Sequence, residues 1–112
     1  MALPENDFTQ LKDMQVACTQ VEADARKLRE MVAAVESIRA RYQSLSASYQ
    51  ADWQRLADDE KLSPSQRQQE ELDSMVAEGG YSVLGQDTIW NALEDVRSEI
   101  GALQKALAIP LD

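Results

Sequence analysis

The chain has no histidine. That absence removes an imidazole general base, any Ser–His or Cys–His nucleophile pair, and the usual zinc sites. It also excludes the Glu-x-x-His motif from which di-iron helical bundles build their metal centre. Cys18 is the one cysteine, so no internal disulfide can form. Gly79, Gly80 and Gly85 lack the lysine and spacing of a phosphate-cradling loop. No apolar run approaches the ~18 residues needed to span a bilayer. The opening Met-Ala-Leu-Pro-Glu-Asn-Asp lacks the basic and apolar regions of a signal peptide, so a cytoplasmic location is expected.

What remains is helix-forming and acidic. Ala, Leu, Gln, Glu and Arg dominate, with four glycines and one phenylalanine in 112 residues, which favours an all-α chain. Twenty acids against eleven bases give a formal charge of −9. The imbalance is local: residues 5–49 carry seven acids and six bases, residues 50–80 eight and three, residues 81–112 five and two. An acidic surface repels phosphate backbones, so no nucleic acid and no anionic membrane is expected as a partner.

The chain is organised around its first long run. Leu11, Met14, Cys18, Val21, Ala25, Leu28, Val32 and Val35 recur in steps of three and four, and the series resumes at Tyr42 and Tyr49. That is a heptad seam on one helix face. A helix over about residues 7–50 follows, started by Pro4 and capped by Asn6. Glu22, Arg26 and Glu30 are spaced for pairing on its outer surface. Met31, Ile38 and Leu45 add a second apolar edge to its later half, the pattern of a helix with two neighbours. Cys18, on the seam, is expected as a small buried hydrophobe. Ser44, Ser46 and Ser48 mark a place where the helix bends or breaks before Trp53.

Residues 51–60 read as a short helix or a continuation of the first. Residues 61–85 read as a solvated connection with a short helix, capped by Ser63 with Pro64 and Gln66 and ended by Gly79-Gly80. A last helix over about residues 86–108 has a clean seam of Ile89, Leu93, Val96, Ile100, Leu103 and Leu107. Gly101 within it points to close approach by another helix. The expected fold is one all-α domain over residues 1–112. Its long N-terminal helix folds against the C-terminal helix, as a three-helix bundle or antiparallel coiled-coil-like hairpin with a short middle helix.

A first helix of about 43 residues spans ~65 Å and a last one of about 22 residues ~33 Å, so one cannot cover the other. The early seam (Leu11, Met14, Cys18, Val21, Ala25, Leu28) then lacks a partner within the chain. It is the candidate interaction face, for a homodimer or another helical protein. A second constellation is aromatic: Tyr49, Trp53, Tyr81 and Trp90, with Tyr42 beside them and Asp52 and Asp87 as a polar rim. It reads as a core plug or as a small pocket. Asp58-Asp59-Glu60 does not fit an EF-hand loop, because counting from Asp59 places Pro64 where glycine is required. No catalytic residue, cofactor or metal ligand is assigned, and the chain is expected not to be an enzyme.

One family resemblance is carried by Tyr49, Asp52-Trp53, the acids after it, Lys61-Leu62-Ser63-Pro64 and Val83-Leu84-Gly85-Gln86-Asp87-Thr88-Ile89, with Leu93 and Asp95. Over residues 49–96 the chain resembles the small bacterial helical proteins of the domain of unknown function family numbered 4298. The resemblance implies an all-helical fold and a bacterial cytoplasmic origin, and no catalytic residue. Gly85 departs from it, standing where a serine cap is expected, and residues 65–80 are longer than its pattern. The leading functional expectation is a non-enzymatic protein–protein interaction module. The alternative is a small-molecule or cation-binding bundle centred on Trp53, Asp58, Asp59, Asp87 and Trp90. A further alternative, a secreted helical hairpin of the type VII secretion kind, rests on length and hairpin shape. The Trp-x-Gly turn of that family is missing, since Gln54 and Arg55 follow Trp53.

Overall fold

The computed structural model describes residues 1–58, 63–85 and 87–112. The protein is all-α, with no strand among the described residues. Helix α1 runs Glu5–Ser48 and passes through a π-helical turn, Tyr49–Trp53, into the short α2, Gln54–Asp58. Helix α3 is Gln66–Ser74 and α4 is Thr88–Leu107. No described helix is long and apolar enough to cross a membrane.

The chain divides into two compact units, Met1–Arg39 and Ala40–Asp112, with the boundary inside α1. In the first unit α1 starts at Glu5, two residues earlier than expected. The Phe8 N–H donates to Pro4 O at 3.0 Å, so Asn6 lies inside the first turn instead of capping it. Proline fixes the entry backbone angle without needing a donor, and the acids Glu5 and Asp7 suit the positive helix end. No α1 residue is fully buried. Cys18 is exposed, not a buried hydrophobe as its seam position suggested; its thiol donates to Glu22 Oε1 at 3.2 Å. Glu22, Arg26 and Glu30 form no ion pair among the described residues, where salt bridges join Asp52 to Arg55 (3.8 Å) and Glu94 to Arg97.

The second unit holds the end of α1 and all that follows. The serine cluster does not break the helix: Ser48 and Gln54, either side of the π-helical turn, both keep right-handed helical angles. The turn adds a wider step, the single-turn form in which π-helix occurs inside α-helices. Two bonds fix the chain direction here. Arg97 donates to the Tyr42 hydroxyl at 2.6 Å, and the Trp53 indole N–H donates to Val83 O at 2.7 Å. Tyr42 and Trp53 rise along the chain while their partners Arg97 and Val83 fall, so the later part of the chain folds back along the end of α1 and the π-helical turn.

Ile89 and Leu93, each 7% exposed, are the buried hydrophobic side chains of the described residues. They sit four apart on the expected α4 seam. Val96, Ile100 and Leu103 are half-buried, and Leu107 is 69% exposed, so the seam loses cover toward the C-terminus. Gly101 does not mark a close approach. A Cβ built there meets nothing within 4 Å.

The middle helix differs from its expected start and stop. Ser65, not Ser63, caps α3: its hydroxyl accepts from Gln68 N at 3.1 Å while Gln68 Oε1 accepts from Ser65 N at 3.0 Å. The Ser-x-x-Gln spacing is met by both registers, but the later one leaves Pro64 outside the helix. Helix α3 ends at Ser74, before the glycine pair. Gly79, at φ 77°, instead occupies the turn closed by Gly80 N to Ala77 O at 2.8 Å, a position that calls for glycine.

Candidate functional site

Two regions were singled out from sequence, and each lies within one unit. In the first, the 3.6-residue repeat of α1 puts the candidate face on a single helix side. Leu11 is 49% exposed, Met14 62%, Val21 64% and Leu28 55%, while Ala25 is half-buried. Val32 continues the line at 60% exposed. Phe8 flanks it, with Lys12 Nζ lying 5.1 Å from its ring centroid. Burial of a seam residue larger than alanine begins at Val35. Cys18 sits in the middle of this face, and its hydrogen bond to Glu22 pushes the thiol pKa up, with a smaller contribution from desolvation.

In the second unit the aromatic group divides in two. Tyr49 and Trp53, one turn apart, hold their rings 5.4 Å between centroids at a 36° tilt. They line a groove of about 730 Å³ with Pro64, Leu72, Val83 and Leu84, and Asp52 forms part of its polar rim. The turn over residues 82–85 places the Val83 carbonyl for Trp53: Gly85 N donates to Ser82 O, and Leu84 N donates to the Ser82 hydroxyl. Gly85 fits there because a Cβ would lie 2.6 Å from Thr88 Oγ1 and 3.1 Å from Ser82 O.

Tyr81 and Trp90 belong to a separate concavity of about 640 Å³ with Asp87, Glu94 and Asp95. Tyr81 is 79% exposed and Trp90 53%, so neither plugs a core. The expectation that the four aromatics form one constellation is therefore corrected. Trp90 follows Ile89 by one residue, and the 100° step of a helix carries it off the buried side. Asp52 and Asp87 are not two sides of one rim, since each accompanies a different aromatic pair. Asp59 lies outside the described residues, as do Glu60, Lys61, Leu62 and Gln86 of the acidic run and of the family-like motif.

Sequence reasoning missed Arg97. It lies 5.9 Å from the Tyr42 ring centroid, donates to the Tyr42 hydroxyl and pairs with Glu94. The bond to Tyr42, followed by the charge of Glu94, holds the guanidinium further toward its protonated form. The Glu94-x-x-Arg97 spacing was visible, but its tertiary partner was not. Among the described residues no group of three or more His, Cys, Asp or Glu is placed to hold a metal ion. Comparison with protein-family models, curated proteins and solved structures finds no match for this chain.

Proposed function

We propose that this protein is a non-enzymatic helical interaction module. It docks through residues 11–28 onto another helix, supplied by a second copy or by a different helical protein. The single supporting observation is the exposure of Leu11, Met14, Val21 and Leu28, each about half or more, along one side of α1. Completing the burial of four such side chains is worth on the order of 1 kcal/mol each. The partner's own apolar face adds a gain of the same kind, and the sum stands against the cost of joining two bodies. The resemblance to the bacterial family numbered 4298 belongs to this reading, since it implies no catalytic residue.

The test compares the full chain with its Val21→Glu variant. Sedimentation velocity and a pull-down with the whole protein as bait are run side by side. The expected result is an association, with itself or with a captured helical protein, that the variant loses. A strict monomer that captures nothing dependent on Val21 overturns the proposal.

The groove at Tyr49 and Trp53 supports a second reading, a small-molecule-binding bundle. A thermal-shift screen across nucleotides, metabolites and divalent ions tests it, because a ligand that binds only the folded chain raises Tm. A flat response retires it.

A further inference from the structure

We infer that residues 81–85 form a latched strap that supplies one wall of the Tyr49–Trp53 groove, with the Trp53 indole as its latch. The inference rests on the groove reading and deepens it, since it names what controls access to that site. Three observations lead to it.

The first is how the segment is fastened. Among the described residues its hydrogen bonds are local, with one exception. Gly85 N donates to Ser82 O at 3.0 Å, Leu84 N to the Ser82 hydroxyl at 3.2 Å, and Thr88 N to Gly85 O at 3.4 Å. The exception is the Trp53 indole N–H, which donates to Val83 O at 2.7 Å from 30 residues away. A turn that satisfies its own backbone moves as one piece when its outside bond breaks.

The second is where that bond lies. Trp53 stands on the helical wall of the groove with its ring against Tyr49, while Val83 and Leu84 bring the strap to the same groove. The latch therefore ties one wall to the other. Ile89, 7% exposed, lines the groove as well. Releasing the Val83 carbonyl lets Val83 and Leu84 withdraw and lets water reach Ile89. Leu93, equally buried one turn further along α4, lies outside the groove lining and keeps its cover.

The third is how little else holds the strap. Upstream, Gly79 at φ 77° has nothing within 4 Å of where a Cβ would stand, which leaves the chain free to pivot there. Tyr81 is 79% exposed and Val83 44%, so the strap buries little apolar surface. Segments of that kind open at lower free energy than the helices they join. Helix α4 has its own anchors in Ile89, Leu93 and the bond from Arg97 to Tyr42, so the strap opens while α4 stays in place.

Thiol labelling tests this without a ligand. Full-length proteins are made in a Cys18→Ser background, one with Ile89→Cys and one with Leu93→Cys, each with and without Trp53→Phe. Far-UV circular dichroism checks that helix content is kept, and the rate of alkylation by iodoacetamide reads how often each position opens. Phenylalanine keeps a ring beside Tyr49 but cannot donate. Losing a hydrogen bond of ordinary net strength changes an opening equilibrium about five-fold. Trp53→Phe should therefore speed labelling at position 89 by about that factor and leave position 93 unchanged. Ser82→Ala loosens the turn that presents the Val83 carbonyl and should give a smaller rise, again at position 89 alone. Should Trp53→Phe lose helix content, Ser82→Ala decides. An unchanged rate at position 89 overturns the latch. Equal acceleration at both positions overturns it too, because Trp53 would then hold the whole unit together. A thiol at position 89 that reacts in the parent background as fast as in urea overturns the strap, since nothing would cover it. A flat ligand screen retires the groove reading but leaves these rates as they are, so the two failures are distinguishable.

Discussion

The seam of α1 over residues 11–32 and the seam of α4 have the same alternation of three and four, yet opposite fates. Ile89 and Leu93 in α4 are 7% exposed, while Val21 and Val32 in α1 are 64% and 60% exposed. Periodicity states that a helix has an apolar side; it does not state that anything lies on it. The lesson is that a regular stripe is a requirement for a partner, met inside the chain in one case and left open in the other.

The contrast can be broken most strongly at Leu93. Leu93→Ala should cost about 2–5 kcal/mol, because it removes one of the two buried hydrophobic side chains among the described residues and leaves a cavity. Leu28→Ala in the first unit should cost about 0.5 kcal/mol or less at low protein concentration, the range of exposed substitutions. Urea unfolding followed by tryptophan fluorescence reads the first, since Trp53 and Trp90 both lie in the second unit. Far-UV circular dichroism reads the second. Equal losses would mean that the two seams are equally covered.

A smaller effect of opposite sign is expected at Gly101. Its missing Cβ faces open space, so Gly101→Ala should stabilise α4 by about 0.5–1 kcal/mol through helix propensity alone. A destabilised variant would restore the close helix approach expected from sequence. The smallest test concerns the open seam. The Cys18 thiol is raised in pKa by Glu22, so less thiolate is present at a given pH. Glu22→Gln lowers that pKa, and iodoacetamide should alkylate Cys18 faster at pH 8. An unchanged or slower rate would show that the Glu22 carboxylate does not hold the thiol.

Much of the helical layout was legible because it is local. The proline entry to α1, the seam of α4 and the stop after Leu107 follow from backbone angles and spacing that neighbouring residues set among themselves. The site was legible only in part. That residues 11–28 form one face could be read, since α-helix geometry alone aligns them. That the four aromatics fall into two separate groups could not, because it depends on which side of α4 points inward. Ser65 in place of Ser63 as the α3 cap was a choice between two sequence-equivalent registers.

The amino-acid order by itself determined the helices, their polarity and the existence of an apolar stripe on each long one. These need only hydrogen bonds and contacts within a few residues. The tertiary structure decided which stripes are covered: it set Trp53 on the Val83 carbonyl, Arg97 on Tyr42, and Ile89 and Leu93 out of water. The physical reason is reach. Cover is a property of two surfaces brought together from distant parts of the chain, and no local pattern states how far the second surface extends.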